Sequence, residues 1–386
     1  MMDHEEILHR CFRCGYCKLP GSFLDLNCPA YLRFRFETYS PGGRMWLLRA
    51  LLREELNATP RLGEILFSCA TCGNCVEHCA FRKFRDHILD AFIAGRNVLV
   101  EAGRVPRGVR DYLKAIHEGG NPWGLPREDR GRWADGLGLE RYDGQDYLLL
   151  VGDVGAYDER GRKMARCLAR VLTKRGVSFG ILENDERTDG NEVHALGEWD
   201  LFELLARDNI AMWQDLGVKR IVTLSPHAYN AVRRLYPTLG GDYDVCHYTQ
   251  LLAEKKPGDK RSSGAPPIRV TYHDPCYLGR HNEEYKAPRS VLKKLPGVRL
   301  VEMDRAQKDA LCCGGGGGNF FTDVLRGGPD APSRVRVREA QATGAEVLVV
   351  ACPQCAKMLD DAVKAEDMED RLSVMDVAEV VESRYA

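Results

Sequence analysis

Two runs of the form C-x-x-C-x-x-C, CFRCGYC at 11–17 and CATCGNC at 69–75, constrain this chain more than any other feature. Short turns containing glycine aim three successive thiolates at one centre, which is the geometry of three corners of an iron-sulfur cube. Each run has a fourth cysteine: Cys28 in NCPAY follows the first after a ten-residue gap, and Cys79 closes CATCGNCVEHC. In two-cluster ferredoxins the fourth cysteine of a run ligates the other cluster, which makes the long gap before Cys28 tolerable. The expected sets are therefore Cys11, Cys14, Cys17 and Cys79 around one 4Fe-4S cubane, and Cys69, Cys72, Cys75 and Cys28 around a second. Structural zinc is the competing reading, but it usually takes two C-x-x-C pairs, whereas each set here offers three close thiolates plus a distant one. Between the runs, RMWLLRALLREEL at 44–56 repeats apolar residues at helical spacing and predicts an amphipathic helix packed between the clusters.

The 386 residues include 15 cysteines, of which thirteen fall in three clusters. The chain begins MMDHEEILHR, with no apolar core after a basic region, so metal ligation in a cytoplasmic protein is expected in place of secreted disulfides. Cys167 in KMARCLARVL and Cys246 in YDVCHY stand apart and read as small buried hydrophobes. A net charge of -1 with 29% charged residues offers no global field for nucleic acid or an anionic membrane. The longest apolar runs, YLLLVG at 147–152 and EVLVVAC at 346–352, are too short to span a bilayer.

After a cluster segment over 1–100, residues 101–145 are rich in Gly, Pro and Arg and read as a wrapping connector. A second breaker, KKPGDKRSSGAPP at 255–267, separates two segments, 146–254 and 268–386, that resemble each other. Each opens with a strand (DYLLLVG at 146–152, IRVTYHD at 268–274) and continues through a helix to a second (VSFGILE at 177–183, VRLVEM at 298–303). Each then reaches a strand ending at proline: RIVTLSP at 220–226 and VLVVACP at 347–353. Strands alternating with helices predict a parallel α/β sheet whose working loops lie at the carboxyl ends of the strands. In the second copy those loops carry Cys276 in HDPC, Cys312 and Cys313 in LCCGGGGG, and Cys352 and Cys355 in CPQC. The equivalent positions of the first copy, 123 to 127 residues upstream, hold Asp153, Thr188, Asp189, Ser225 and Ala228. The first repeat is expected to be degenerate, keeping the scaffold without a cluster.

Gly314 to Gly318 fit a dinucleotide-binding loop poorly, because two cysteines lead into them in place of a strand and no ribose-binding acid can be placed. Glycines there would let backbone approach a large inorganic group and donate N–H groups to its sulfurs. His273 and Asp274 precede Cys276 and are read either as proton carriers or as supports of that loop. Asp153, Asp189 and His227 are chemically competent ligands, although polar residues at strand ends commonly serve no site.

With CFRCGYC, NCP, CATCGNCVEHC, HDPC, LCCGGGGG and CPQC assembled, nearly the whole chain resembles the HdrD-like iron-sulfur proteins of the heterodisulfide reductases. The resemblance implies a ferredoxin-like segment with two cubanes followed by two CCG-type α/β domains. In the family an intact CCG repeat holds a noncubane 4Fe-4S cluster, carried over here to Cys276, Cys312, Cys313, Cys352 and Cys355; some relatives hold a conventional cluster or another metal. Disulfide cleavage in the family uses one such cluster from each repeat, and the first repeat here departs at all five positions. The resemblance thus implies an electron-transfer subunit working between a flavoprotein or ferredoxin carrier and a partner oxidoreductase. A reductase of a disulfide or related sulfur substrate at the single CCG cluster is the alternative. The stretch YLRFRFETYSPGGRMW at 31–46 is similar to the electron-transfer subunit of class II benzoyl-CoA reductase complexes, which suggests that type of partner.

Overall fold

The computed structural model describes residues 4–19, 21, 25–254 and 264–385; residues 255–263 of the breaker fall outside them. Among the described residues no helix is long and apolar enough to cross a membrane. The strands are β1 Tyr147–Leu150, β2 Phe179–Gly180, β3 Arg220–Thr223, β4 Asp244–His247, β5 Ile268–Tyr272, β6 Val298–Leu300, β7 Val347–Val350 and β8 Ser373–Asp376. They form two four-stranded sheets, ordered β2-β1-β3-β4 and β6-β5-β7-β8. Every pairing is parallel. The central strands YLLL and VLVV are buried along their whole length, as parallel strands covered on both faces require. The identical order supports the duplication seen in the sequence. It also puts a topological switch point between β1 and β3, and another between β5 and β7, where open α/β sheets place their sites.

The repeats pack reciprocally. Helix Glu159–Lys174 of the first lies on helices Pro353–Ala365 and Val377–Arg384 of the second, while helix Tyr248–Glu254 lies on Lys286–Lys294. Arg160 bridges Asp360 at 2.8 Å and Glu379 at 2.6 Å, and Tyr248 donates to the Asp376 carboxylate at 2.7 Å. Of the isolated cysteines, Cys167 is buried in this joint, its thiol 3.2 Å from Glu382, whereas Cys246 on β4 is only half-buried.

The cluster segment is helical. Helix Pro41–Leu52 starts three residues before the sequence predicts, because Ser40 accepts the Gly43 amide at 3.0 Å and Pro41 suits the first turn. It stops four residues short of the predicted end; Glu54, just beyond, has a φ of +59°. The connector holds more structure than its composition suggests: helix Arg107–Gly119, a 3-10 segment Arg127–Ala134, and buried Tyr112, Arg130 and Trp133.

Candidate metal centres

The N-terminal cysteines sort into two cavities. One is lined by Cys11, Cys14, Cys17 and Cys79, the other by Cys28, Cys69, Cys72 and Cys75; Cys17 borders both. Helix Pro41–Leu52 forms the partition, with Pro41 on both sides, Met45 toward the first and Arg44 toward the second. Arg44 is fully buried and fixes this wall by donating to the carbonyls of Tyr39 and Ile65 and to Ser68. The φ of +89° at Gly15 and +77° at Gly73 lets each loop turn back after its second cysteine. Burial pushes the Cys28 thiol up to about 12, and burial followed by its sulfur neighbours raises Cys75 well above the usual thiol value. Thiols packed this way cannot ionise together unless a cation neutralises them, which is the chemistry of an iron-sulfur ligand set.

The five second-repeat cysteines meet at the switch point of the second sheet, all buried. Cys312 Sγ lies 3.8 Å from Cys276 Sγ, and Cys313 Sγ lies 3.4 Å from Cys355 Sγ. His273 joins the last two, with ligand atoms of all three within 4.8 Å of one another. Arg336 donates to His273 Nδ1 at 3.1 Å, leaving Nε2 as a buried ring nitrogen without a hydrogen-bond partner among the described residues. Asp274 accepts both terminal nitrogens of Arg289, at 2.6 and 2.9 Å, and the Gln307 amide at 2.8 Å. These contacts tie the loop ahead of Cys276 to helix Lys286–Lys294 and to the Gln307 amide.

Only part of the glycine run addresses sulfur. Gly314 N–H donates to Cys312 Sγ at 3.3 Å, and a β-carbon on Gly315 would stand 3.7 Å from Cys313 Sγ. A β-carbon on Gly316 or Gly317 would come within 2.6 Å of the Ala70 or Cys69 carbonyl. These glycines admit the second cluster loop against the third site, a contact that the sequence does not reveal. Cys72 is within hydrogen-bonding reach of Cys312 across this seam. Arg280 locks it, donating to the Cys72 carbonyl and the Ala310 carbonyl at 2.6 Å each, with its charge close to Cys72, Cys276 and Cys312. Arg96, also fully buried, donates to carbonyls of Leu66, Cys69 and Ala195. Neither arginine is legible as functional in the sequence; Arg280 stands four residues past Cys276, in HDPCYLGR, with no local signal to mark it.

The first repeat gathers its equivalent residues at its own switch point. Asp153, Thr188, Asp189 and Ser225 line one small cavity with Tyr112, Glu192 and His227. Arg130 pairs with Asp153 at 2.8 Å and Glu186 at 3.3 Å, and Glu186 accepts the Gly152 amide at 2.8 Å. Ser225 caps helix Pro226–Asn230, accepting the amides of His227 and Ala228 at 3.2 and 3.4 Å. His227 Nδ1 is paired with Glu192, leaving the other ring nitrogen to Cys352 of the second repeat. Burial alone would lower the His227 pKa, but Glu192 and Cys352 together raise it well above the usual value. Burial likewise opposes ionisation of Cys352, yet hydrogen bonds from Cys355 and His227 bring it down to about 6. The Glu192 carboxylate also accepts the Gly318 amide.

This combination of a two-cavity cysteine segment with cysteine-bearing α/β repeats defines an iron-sulfur protein. The 4Fe-4S dicluster domain matches residues 7–82 and the cysteine-rich CCG domain matches 155–233 and 270–360. The chain is 36% identical over 330 residues to the probable iron-sulfur-binding oxidoreductase FadF of Bacillus subtilis, covering 82% of this chain and 46% of that protein. It is 31% identical over 421 residues to an EtfAB:quinone oxidoreductase of Syntrophomonas wolfei, covering 97% and 58%. To the HdrD protein of the dihydromethanophenazine:CoB--CoM heterodisulfide reductase of Methanosarcina barkeri it is 33% identical over 324 residues, covering 81% and 76%. The chain spans about half the length of the first two relatives. It belongs to the HdrD-like family of iron-sulfur oxidoreductase proteins.

Proposed function

We propose that the chain is an electron relay within a larger oxidoreductase complex. Cys11, Cys14, Cys17 and Cys79 would hold an outer cubane, Cys28, Cys69, Cys72 and Cys75 an inner one, and Cys276, Cys312, Cys313, Cys352 and Cys355 a third, noncubane 4Fe-4S cluster. The observation that carries this reading is the order of the sites. The first and second share Cys17 at their boundary, and the second and third meet at Cys72 and Cys312. Clusters in such sites supply one-electron steps at potentials set by burial and hydrogen bonds to sulfur. The chain's own residues do the rest: Arg280 and Arg96 hold the seam between sites, while His227 donates to Cys352 of the third.

In this reading the first repeat binds no cluster, since oxygen ligands, a threonine and an alanine replace its thiolates. Two-cluster disulfide cleavage is therefore disfavoured, and the burial of all five second-repeat sulfurs favours a relay over direct attack on a substrate. The name of the Syntrophomonas relative, EtfAB:quinone oxidoreductase, agrees with an electron-transfer role between the flavoprotein or ferredoxin carrier and the partner oxidoreductase expected from the sequence. A benzoyl-CoA reductase-type partner rests on the stretch 31–46, whose Tyr39 and Arg44 are spent on packing the cluster domain. Anaerobic analysis tests the core of the proposal: iron and acid-labile sulfide are expected at about twelve each per chain. Two or three zinc ions per chain in a colourless preparation would overturn it, and co-purification from native cells identifies the carrier and partner.

A further inference from the structure

The relay needs a point of entry, and the outer site differs from the other two in being open. Among its four cysteines Cys14 is exposed, whereas every second-repeat cysteine is buried. The wall of the cavity is aromatic: Phe12, 64% exposed, meets Phe81 edge-on at 6.3 Å, and Phe81, 38% exposed, stacks on Phe84 at 5.4 Å. Water gains nothing from wetting these rings, and a cluster domain could bury them in its own core. Their exposure directly over a redox site marks a contact surface.

Its rim is basic. Arg13 lies over the Trp46 ring at 4.3 Å and Lys83 lies over the Phe84 ring at 5.0 Å; both are exposed, as is Arg82. None of these three forms an ion pair among the described residues, although elsewhere on the surface arginines and lysines are commonly paired with carboxylates. The chain as a whole has a net charge of only -1, so this cationic ring is local and not a general property of the protein. An apolar centre flanked by three unpaired basic residues fits a partner whose own redox group is bordered by acidic ones, with the charges steering encounter and the rings fixing it.

We propose that the face formed by Phe12, Phe81 and Cys14, rimmed by Arg13, Arg82 and Lys83, is the docking surface for an acidic one-electron carrier protein. This rests on the relay reading above. Each encounter moves one electron between the carrier and the outer site: in the inward direction the carrier is oxidised by one electron and the site reduced by one, with no bond made and no proton required.

The test is anaerobic stopped-flow reduction of the full-length protein by a reduced plant-type ferredoxin, an acidic probe, with dithionite as a small-molecule reductant and the basic ferricytochrome c as an acceptor of opposite charge. The ferredoxin rate constant is expected to fall steeply as ionic strength rises, and Arg82→Glu with Lys83→Glu to lower it about tenfold or more at low salt. The same double variant should be oxidised faster by cytochrome c, and dithionite should bleach it to the wild-type extent. Phe12→Ala should slow ferredoxin at all salt concentrations without changing the salt slope. A ferredoxin rate indifferent both to salt and to the charge reversal, in protein that dithionite fully bleaches, overturns the docking proposal alone. Protein with no dithionite-reducible absorbance overturns the relay reading and the docking proposal with it.

Discussion

The two α/β repeats share strand order, loop positions and pairing, yet present different chemistry at the same place. In the second, Cys352 occupies the position before helix Pro353–Ala365 and its side chain makes no cap, leaving sulfur free for the cluster site. In the first, Ser225 occupies that position and caps the helix amides. Serine is a good capping residue, worth about 1 kcal/mol there. Other equivalent positions are likewise engaged: Asp153 in a buried ion pair with Arg130, Asp189 in a hydrogen bond from the Asn191 amide. The comparison teaches that the same strand-end loop keeps its fold without thiolates when residues at those positions supply hydrogen bonds that the backbone or a buried arginine needs. The first repeat then acts on the second: His227, one position past the first-repeat proline, reaches Cys352.

The sharpest way to break this contrast is Cys355→Ser. If the second repeat alone holds a cluster, iron should fall from about twelve to about eight per chain, with the paramagnetic signals of the two N-terminal clusters retained. The reciprocal change, Ser225→Cys, should add no iron, because the remaining ligands of the first repeat are absent. Next in size is Arg130→Met, which leaves Asp153 and Glu186 buried without their cation; it should cost about 3–5 kcal/mol in anaerobic denaturation.

Asp189 gives a pH-dependent test. Burial, and then the nearby Asp153, push its carboxyl up to about 7 from the usual 3.8. The folded chain therefore binds this proton more tightly than the unfolded chain does. Its contribution is fully present below about pH 4 and is lost as pH rises through about 7. Asp189→Asn should match wild type near pH 4 and be more stable by roughly 1–3 kcal/mol at pH 8, measured by denaturant unfolding at both values. The smallest shift at the clusters is expected from His227→Phe, which removes a donor to Cys352 and also leaves the buried Glu192 carboxylate without its partner. A donor to sulfur favours the more negative reduced state, so redox titration should find the third cluster's potential lowered and the other two unmoved.

Much of the site is legible because thiolate ligands come in short local spacings. Cys11 to Cys17 and Cys69 to Cys75 declare themselves within seven residues each, and the strands ahead of Cys276 and Cys352 read as apolar runs. The sequence also supports the tandem repeat through the steady interval between equivalent loops. Strand β8 and the helix Arg107–Gly119 are not legible, the first because it is short and only partly buried, the second because Gly and Pro at its flanks dominate the local composition.

Local sequence determined which residues are able to bind metal and which loops carry them, because ligand chemistry and turn geometry act over a few residues. Tertiary structure alone decided that Gly316 and Gly317 face the loop of Cys69, that Cys72 meets Cys312, and that an arginine four residues past Cys276 closes the seam. Those contacts join residues more than two hundred positions apart. They arise from the packing of three independently patterned segments into one core, a term that no short-range periodicity records.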